Sequence, residues 1–194
     1  LPISNNNLVG FIPDSIGNLN SLTRLHLYNN ELSGSIPDSI GNLNSLQRLY
    51  LHNNELSGSI PDSIGNLHSL WNLFLHNNQL TGSIPDSFGN IGSSLEFLFL
   101  NNNTLSGAVP ESFGNLTGLW MLSLANNQLT SLPPTFGQIA NGLEFLLLQN
   151  NYFSGTFPNE FDNYDSFSGS IWYYYYYNSY YRQNNEDYCD LSGN

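Results

Sequence analysis

The chain has 194 residues, with 15 acidic and 3 basic side chains, no lysine and a formal charge of -12. A surface this negative repels phosphate backbones and anionic lipid heads, which makes nucleic acid and membrane surfaces poor candidate partners. No apolar run reaches the roughly 18 residues that a membrane span requires, and the length suits one elongated domain.

From its start the chain repeats one phrase. Leu1, Ile3, Asn6 and Leu8 fall in register with Leu25, Leu27, Asn30 and Leu32, so the chain opens on a strand in mid-repeat and is expected to be a processed or partial chain. Residues 19–42, LNSLTRLHLYNNELSGSIPDSIGN, are rewritten from Leu43 and Leu67 and more loosely from Ile91, Leu116 and Ile139. A period of about 24 residues predicts a solenoid whose coils cover one another's apolar faces. Each coil reads as a short LxL strand, an asparagine turn, an LSGSIP segment and a PDSIGN turn. Parallel strands about 4.8 Å apart then build one long sheet, with Leu22, Leu25, Leu27, Leu32, Ile36, Ile40 and Leu43 pointing inward.

The column Asn6, Asn30, Asn54, Asn78, Asn103, Asn127 and Asn151 has a structural role, because an amide can bond the backbone of adjacent turns. Gly34, Gly58, Gly82 and Gly107, with Pro13, Pro37, Pro61, Pro85, Pro110, Pro133 and Pro158, set the turns on the far side. Extra residues at 92–94 and 140–142, and the missing glycine in 129–133, alter local turns and are expected to leave the register intact. Beyond Phe161 the pattern frays. Trp172 stands where proline is due, the tyrosine-rich run 173–181 reads as strand, and residues 189–194 return to the strand phrase with Cys189 in place of leucine.

The motif LxxLxLxxNxLSGxIPxxxGxL, over about residues 1–161, resembles the plant-type leucine-rich repeats of receptor-kinase ectodomains and polygalacturonase-inhibiting proteins. The resemblance implies a mainly β solenoid of α/β type. Its form would be a right-handed curved superhelix, with a parallel sheet on the concave face, a second short sheet at LSGSIP, and 3-10 turns and loops on the convex side. It also implies an extracellular or cell-surface location and partners that are proteins, peptides or cell-wall polysaccharide enzymes. The paired-cysteine caps of such ectodomains are missing, and Cys189 is alone. The expected division is a solenoid of about seven repeats over residues 1–171 and a Tyr-rich closing segment over 172–194. Two sequons mark Asn102 and Asn115 as glycosylation sites on a secretory route.

The positions around LxL form the candidate binding face. One column is His26, Tyr50, Phe74 and Phe99; a second is Tyr28, His52 and His76; Arg24, Arg48, Trp71, Phe97, Trp120 and Phe145 flank them. So many outward aromatics predict an apolar contact surface for a protein, a peptide or a glycan, unless the tail or a glycan buries part of it. His52 and His76 lack a third ligand in their column, so no metal is expected, and no cofactor either. The row Asp14, Asp38, Asp62, Asp86, Glu111 and Glu160 is evenly repeated, where a catalytic pair needs divergent environments, and it reads as turn capping. The chain is read as a non-enzyme.

Both ends read as uncapped strands. The leading expectation is therefore end-to-end self-association into a filament through Leu1, Ile3, Trp172, Tyr173, Tyr175, Tyr177, Cys189 and Leu191. The alternative is a recognition module using the concave aromatic face. A third reading, an ice- or mineral-binding surface, rests on the regular ladders.

Overall fold

A computed structural model of the protein describes residues 1–161. The chain divides into two units, Leu1–Glu160 and Phe161–Asn194. The expected boundary after residue 171 and the closing segment 172–194 lie outside the described residues.

The first unit is a stack of coils carrying two six-stranded parallel sheets. In chain order the strands are β1 (Val9–Gly10), β2 (Arg24–His26), β3 (Glu31–Gly34), β4 (Arg48–Tyr50), β5 (Glu55–Ser59), β6 (Asn72–Phe74), β7 (Gln79–Gly82), β8 (Phe97–Phe99), β9 (Thr104–Ala108), β10 (Met121–Ser123), β11 (Gln128–Ser131) and β12 (Phe145–Leu147). The even-numbered strands form the inner sheet, the expected concave one, and the odd-numbered strands form the outer sheet at the LSGSIP segments. Inner-sheet register is unbroken: Leu25, Leu49, Leu73, Leu98, Leu122 and Leu146 are aligned. Among the described residues no helix is long and apolar enough to cross a membrane.

Leucines of every coil meet between the sheets, and Leu25, Leu49, Leu73, Leu98 and Leu122 are fully buried. At the 3-10 turns isoleucine gives way to phenylalanine partway along the stack. Ile40 and Ile64 are followed by Phe88 and Phe113, whose ring centroids lie 5.9 Å apart. The turns pack so tightly that a Cβ on Gly65 would collide with the carbonyl oxygen and Cβ of Ser87 on the next coil.

The asparagine column ties the coils together. Asn103 donates from Nδ2 to the carbonyls of Leu75 at 3.1 Å, Leu100 at 3.1 Å and Asn101 at 3.4 Å, while its Oδ1 accepts the Leu80 N–H at 3.0 Å. One amide thus satisfies backbone groups of its own coil and the preceding one. Asn103 is buried, so these groups have no water to turn to.

Two expectations are corrected. The inner sheet keeps its register past the irregular coils, but in the outer sheet the register shifts between Leu129 and Ser131, where the coil lacks its glycine. Of the carboxylate row, Asp14, Asp38, Asp62, Asp86 and Glu111 open their 3-10 turns from the first residue, one position past the cap, which is proline in each case. No side-chain cap hydrogen bond forms. Glu111 instead accepts a bond from Thr135 Oγ1 at 2.8 Å.

Asn103→Ala leaves buried backbone groups unpaired and is expected to cost about 3 kcal/mol, against less than about 1 kcal/mol for Asn6→Ala on the exposed first coil. Urea unfolding of both variants, followed by far-UV circular dichroism, checks this.

Candidate functional site

Strand alternation directs Leu25 and Leu27 into the core and sends residues 24, 26 and 28 to the other face, with the same division in each following coil. Coils one strand spacing apart bring rings at equivalent positions face to face. His26 stacks on Tyr50 at 4.4 Å, Tyr50 on Phe74 at 4.5 Å and Phe74 on Phe99 at 4.8 Å. In the second column Tyr28 stacks on His52 at 4.6 Å and His52 on His76 at 4.4 Å. The columns meet edge to face, with Phe74 and His76 at 6.1 Å and 63°.

All seven rings are buried, from 8% exposure at His26 to none at His76. These positions were expected to form an open apolar patch; in the structure the seven rings are buried, with their faces stacked within columns and their edges in contact between them. Phe99 and His76 are followed in their columns by the smaller Ser123 and Asn101, both also buried. His52 Nδ1, both nitrogens of His76, Asn101 Oδ1 and Ser123 Oγ are buried without a hydrogen-bond partner. Burial, with a lesser contribution from the neighbouring imidazole, lowers the His52 pKa to about 3 and holds His76 well below the usual range. Both rings are neutral at physiological pH. Among the described residues no group of three or more His, Cys, Asp or Glu is placed to hold a metal.

What stays open is the margin where the inner strands begin. Arg24 is exposed and Arg48 half-buried, on the first two inner strands. Trp71 is 42% exposed, and Phe97, Trp120 and Phe145 are half-buried. Phe97 and Trp120 meet edge to face at 5.3 Å. Of the remaining sequence candidates, Leu1 and Ile3 are exposed on the first coil. Trp172, Tyr173, Tyr175, Tyr177, Cys189 and Leu191 lie outside the described residues. Asn115 is exposed at the end of a 3-10 turn, with Thr117 exposed nearby.

Asn102, the other sequon asparagine, belongs to a feature that sequence reasoning missed. Asn5, Asn29, Asn53, Asn77, Asn102, Asn126 and Asn150 all take left-handed backbone angles, φ from 54 to 57°. Each side chain from Asn29 onward donates to the preceding one at 2.5–2.6 Å, making one continuous amide ladder. Asparagine tolerates that conformation better than most residues, and each amide keeps a second N–H and a second lone pair for the outside. The signal was the doubling of asparagine in every coil. The second member of each pair occupies the motif's fixed position and masks the first.

A family model described as leucine rich repeat matches residues 1–56, 73–129 and 93–153. No curated protein is significantly similar to the chain. Among solved structures, the ectodomain of the Arabidopsis thaliana receptor kinase GASSHO1/SCHENGEN3, in complex with CASPARIAN STRIP INTEGRITY FACTOR 2, is 42% identical over 81% of this chain and 19% of its own, with a TM-score of 0.78. The Arabidopsis receptor kinase HAESA, in complex with the peptide hormone IDA and the co-receptor SERK1, is 40% identical over 81% of this chain and 27% of its own, with a TM-score of 0.76. A plant ice-binding protein is 28% identical over 82% of this chain and 61% of its own, with a TM-score of 0.62. The chain thus spans about a fifth to a quarter of the length of the two receptor chains.

The neutral imidazoles fix the sign of a pH effect. In the unfolded chain each takes up a proton near the ordinary value of 6.5, whereas folded His52 does so only at about 3. The folded state therefore loses stability as pH falls from 6.5 towards 3, by about 1.4 kcal/mol per pH unit for each histidine so held. Denaturant midpoints between pH 7 and pH 4 measure this, and His52→Phe with His76→Phe, which preserves the stacking, is expected to flatten the dependence.

Proposed function

The chain belongs to the leucine-rich-repeat family, and from that premise we propose that it is a non-catalytic, extracellular recognition module for a peptide or protein ligand. The observation that carries the reading is the open margin of the inner sheet, where a 42% exposed tryptophan, Trp71, stands beside the edge-to-face pair Phe97 and Trp120. Large aromatic faces held on a rigid sheet offer contact area with little entropy to lose on binding. The receptor ectodomains that the chain is similar to were solved with a peptide hormone or a named factor bound, which supports a ligand of that kind. The carboxylate row supports a non-catalytic role, since its members repeat one environment coil after coil. Exposed Asn115 is the better placed glycan carrier, because Asn102 is engaged on both sides in the amide ladder.

End-to-end self-association has less behind it. Leu8, Val9 and Phe11 are exposed on the first coil, as the apolar edge of any coil is where no neighbour is stacked on it. A second reading, adhesion to ice or another regularly spaced solid, is favoured by the amide ladder and by the 28% identity with a plant ice-binding protein. Thermal hysteresis that falls with Asn53→Ala and Asn77→Ala supports it and counts against the first reading.

The first reading is tested by screening the full chain against a display library of random linear peptides. Saturable binders are expected, weakened about tenfold by Trp71→Ala, a loss of about 1.4 kcal/mol. A library that yields no saturable binder overturns it.

A further inference from the structure

Trp71, Glu96, Trp120 and Glu144 occupy the same position on four successive coils, each just before an inner strand begins. Their backbones are joined directly. The Trp71 carbonyl accepts the Glu96 and Phe97 N–H groups at 2.8 and 3.1 Å, the Glu96 carbonyl accepts those of Trp120 and Met121 at 2.9 and 3.1 Å, and the Trp120 carbonyl accepts those of Glu144 and Phe145 at 2.9 and 3.1 Å. This bonding fixes the four side chains as one row in which indole and carboxylate alternate. Glu96 and Glu144 are exposed, Trp71 is exposed and Trp120 half-buried. The basic residues of this margin, Arg24 and Arg48, precede the row: Arg48 is aligned with Asn72, and Asn72 with Phe97. One coil, that of Trp71 and Asn72, therefore lies between Arg48 and Glu96.

We propose that this row is a docking track for an extended cationic peptide, whose lysine or arginine side chains lie between indole faces and carboxylates. The proposal rests on the recognition reading above and names its ligand class. Each half of the chemistry selects a cation. An indole face attracts an ammonium or guanidinium through its quadrupole, and the flanking carboxylate supplies a charge-assisted hydrogen bond. A chain of formal charge -12 without lysine adds long-range attraction for the same partner.

The spacing selects a conformation. Like groups recur every second coil, Trp71 with Trp120 and Glu96 with Glu144, which is two strand spacings of about 4.8 Å, or about 9.6 Å. A polyproline-II segment turns once every three residues and rises about 3.1 Å per residue, so it presents every third side chain on one face at about 9.3 Å. A peptide running along the stack with a basic residue at every third position stays in step across the row. A fully extended strand, at about 3.3 Å per residue with side chains alternating, presents like faces at about 6.6 Å and falls out of step. A neutral polysaccharide can stack on the indoles, but its affinity gains nothing from the net charge.

The test is a titration of the full chain, at physiological salt, with a capped peptide of four Lys-Pro-Pro repeats, followed by tryptophan fluorescence. Saturable binding is expected, about tenfold tighter than to an isomer with its four lysines adjacent and undetectable for the Glu-Pro-Pro counterpart. Glu96→Gln and Glu144→Gln, at exposed positions, are each expected to weaken it about fivefold. Asp38→Asn with Asp62→Asn, which removes two charges from the outer turns, leaves it unchanged. An equal loss in the Asp38 and Asp62 double variant reduces the effect to net charge and overturns the proposal, as does Glu-dependent binding of a linear β-glucan oligosaccharide in place of the peptide. Library-selected peptides that bind Glu96→Gln and Glu144→Gln as well as the unaltered protein also overturn it, while leaving the recognition reading in place.

Discussion

The rest of the described structure depends on the bond set of the motif asparagine. Asn54 shows its reach: Nδ2 donates to the Leu51 and His52 carbonyls of its own coil and to the Leu27 carbonyl of the preceding one, and Oδ1 accepts the Leu32 N–H. No aliphatic side chain of that volume carries donors and an acceptor together, so the coil cannot close this way on leucine. Because the same residue closes every coil, each coil sits at the same distance from the next, and every outward column inherits that distance. Ring stacking at 4.4–4.8 Å, the amide ladder and the indole–carboxylate row all follow from it.

The repeat was legible because its signals agree at every level. Leucine spacing, asparagine position, SGSIP glycine and turn proline each specify the same coil, and the strands fall where the LxL phrase puts them. Legibility faded where one coil departs from the consensus. The shift between Leu129 and Ser131 depends on how a glycine-free turn closes against its neighbour, which composition does not state. The first residue of each 3-10 turn was read as a cap from its type. The structure gives the cap position to proline, and the carboxylate stands one residue further in.

The candidate site was half legible. Alternation separates residues 24, 26 and 28 from the core leucines, but it says nothing about what covers a ring on that side. Stacking at the strand spacing is a collective property of neighbouring coils, and the rings that look like an apolar surface in the sequence form two stacked, buried columns. The histidines illustrate the consequence. A lone outward His76 would be solvated and titrate in the ordinary range; between His52 and the edge of Phe99 it loses its water and holds its neutral form. Unpartnered imidazole nitrogens in that environment weigh against stability, and they persist because the ring faces remain well packed.

The alternation of tryptophan and glutamate along the strand-start margin is hidden in the sequence for a different reason. Trp71, Glu96, Trp120 and Glu144 are more than twenty residues apart in the chain, and each stands at a position where the motif permits anything. Such positions are silent singly and acquire meaning only when the register aligns them. The constant letters of the repeat determine where a side chain goes, and the variable letters determine what the aligned row can bind. A regular scaffold can thus keep its fold while changing its ligand, since Glu96 and Glu144 are exposed and contribute no core contact that another polar residue would have to replace.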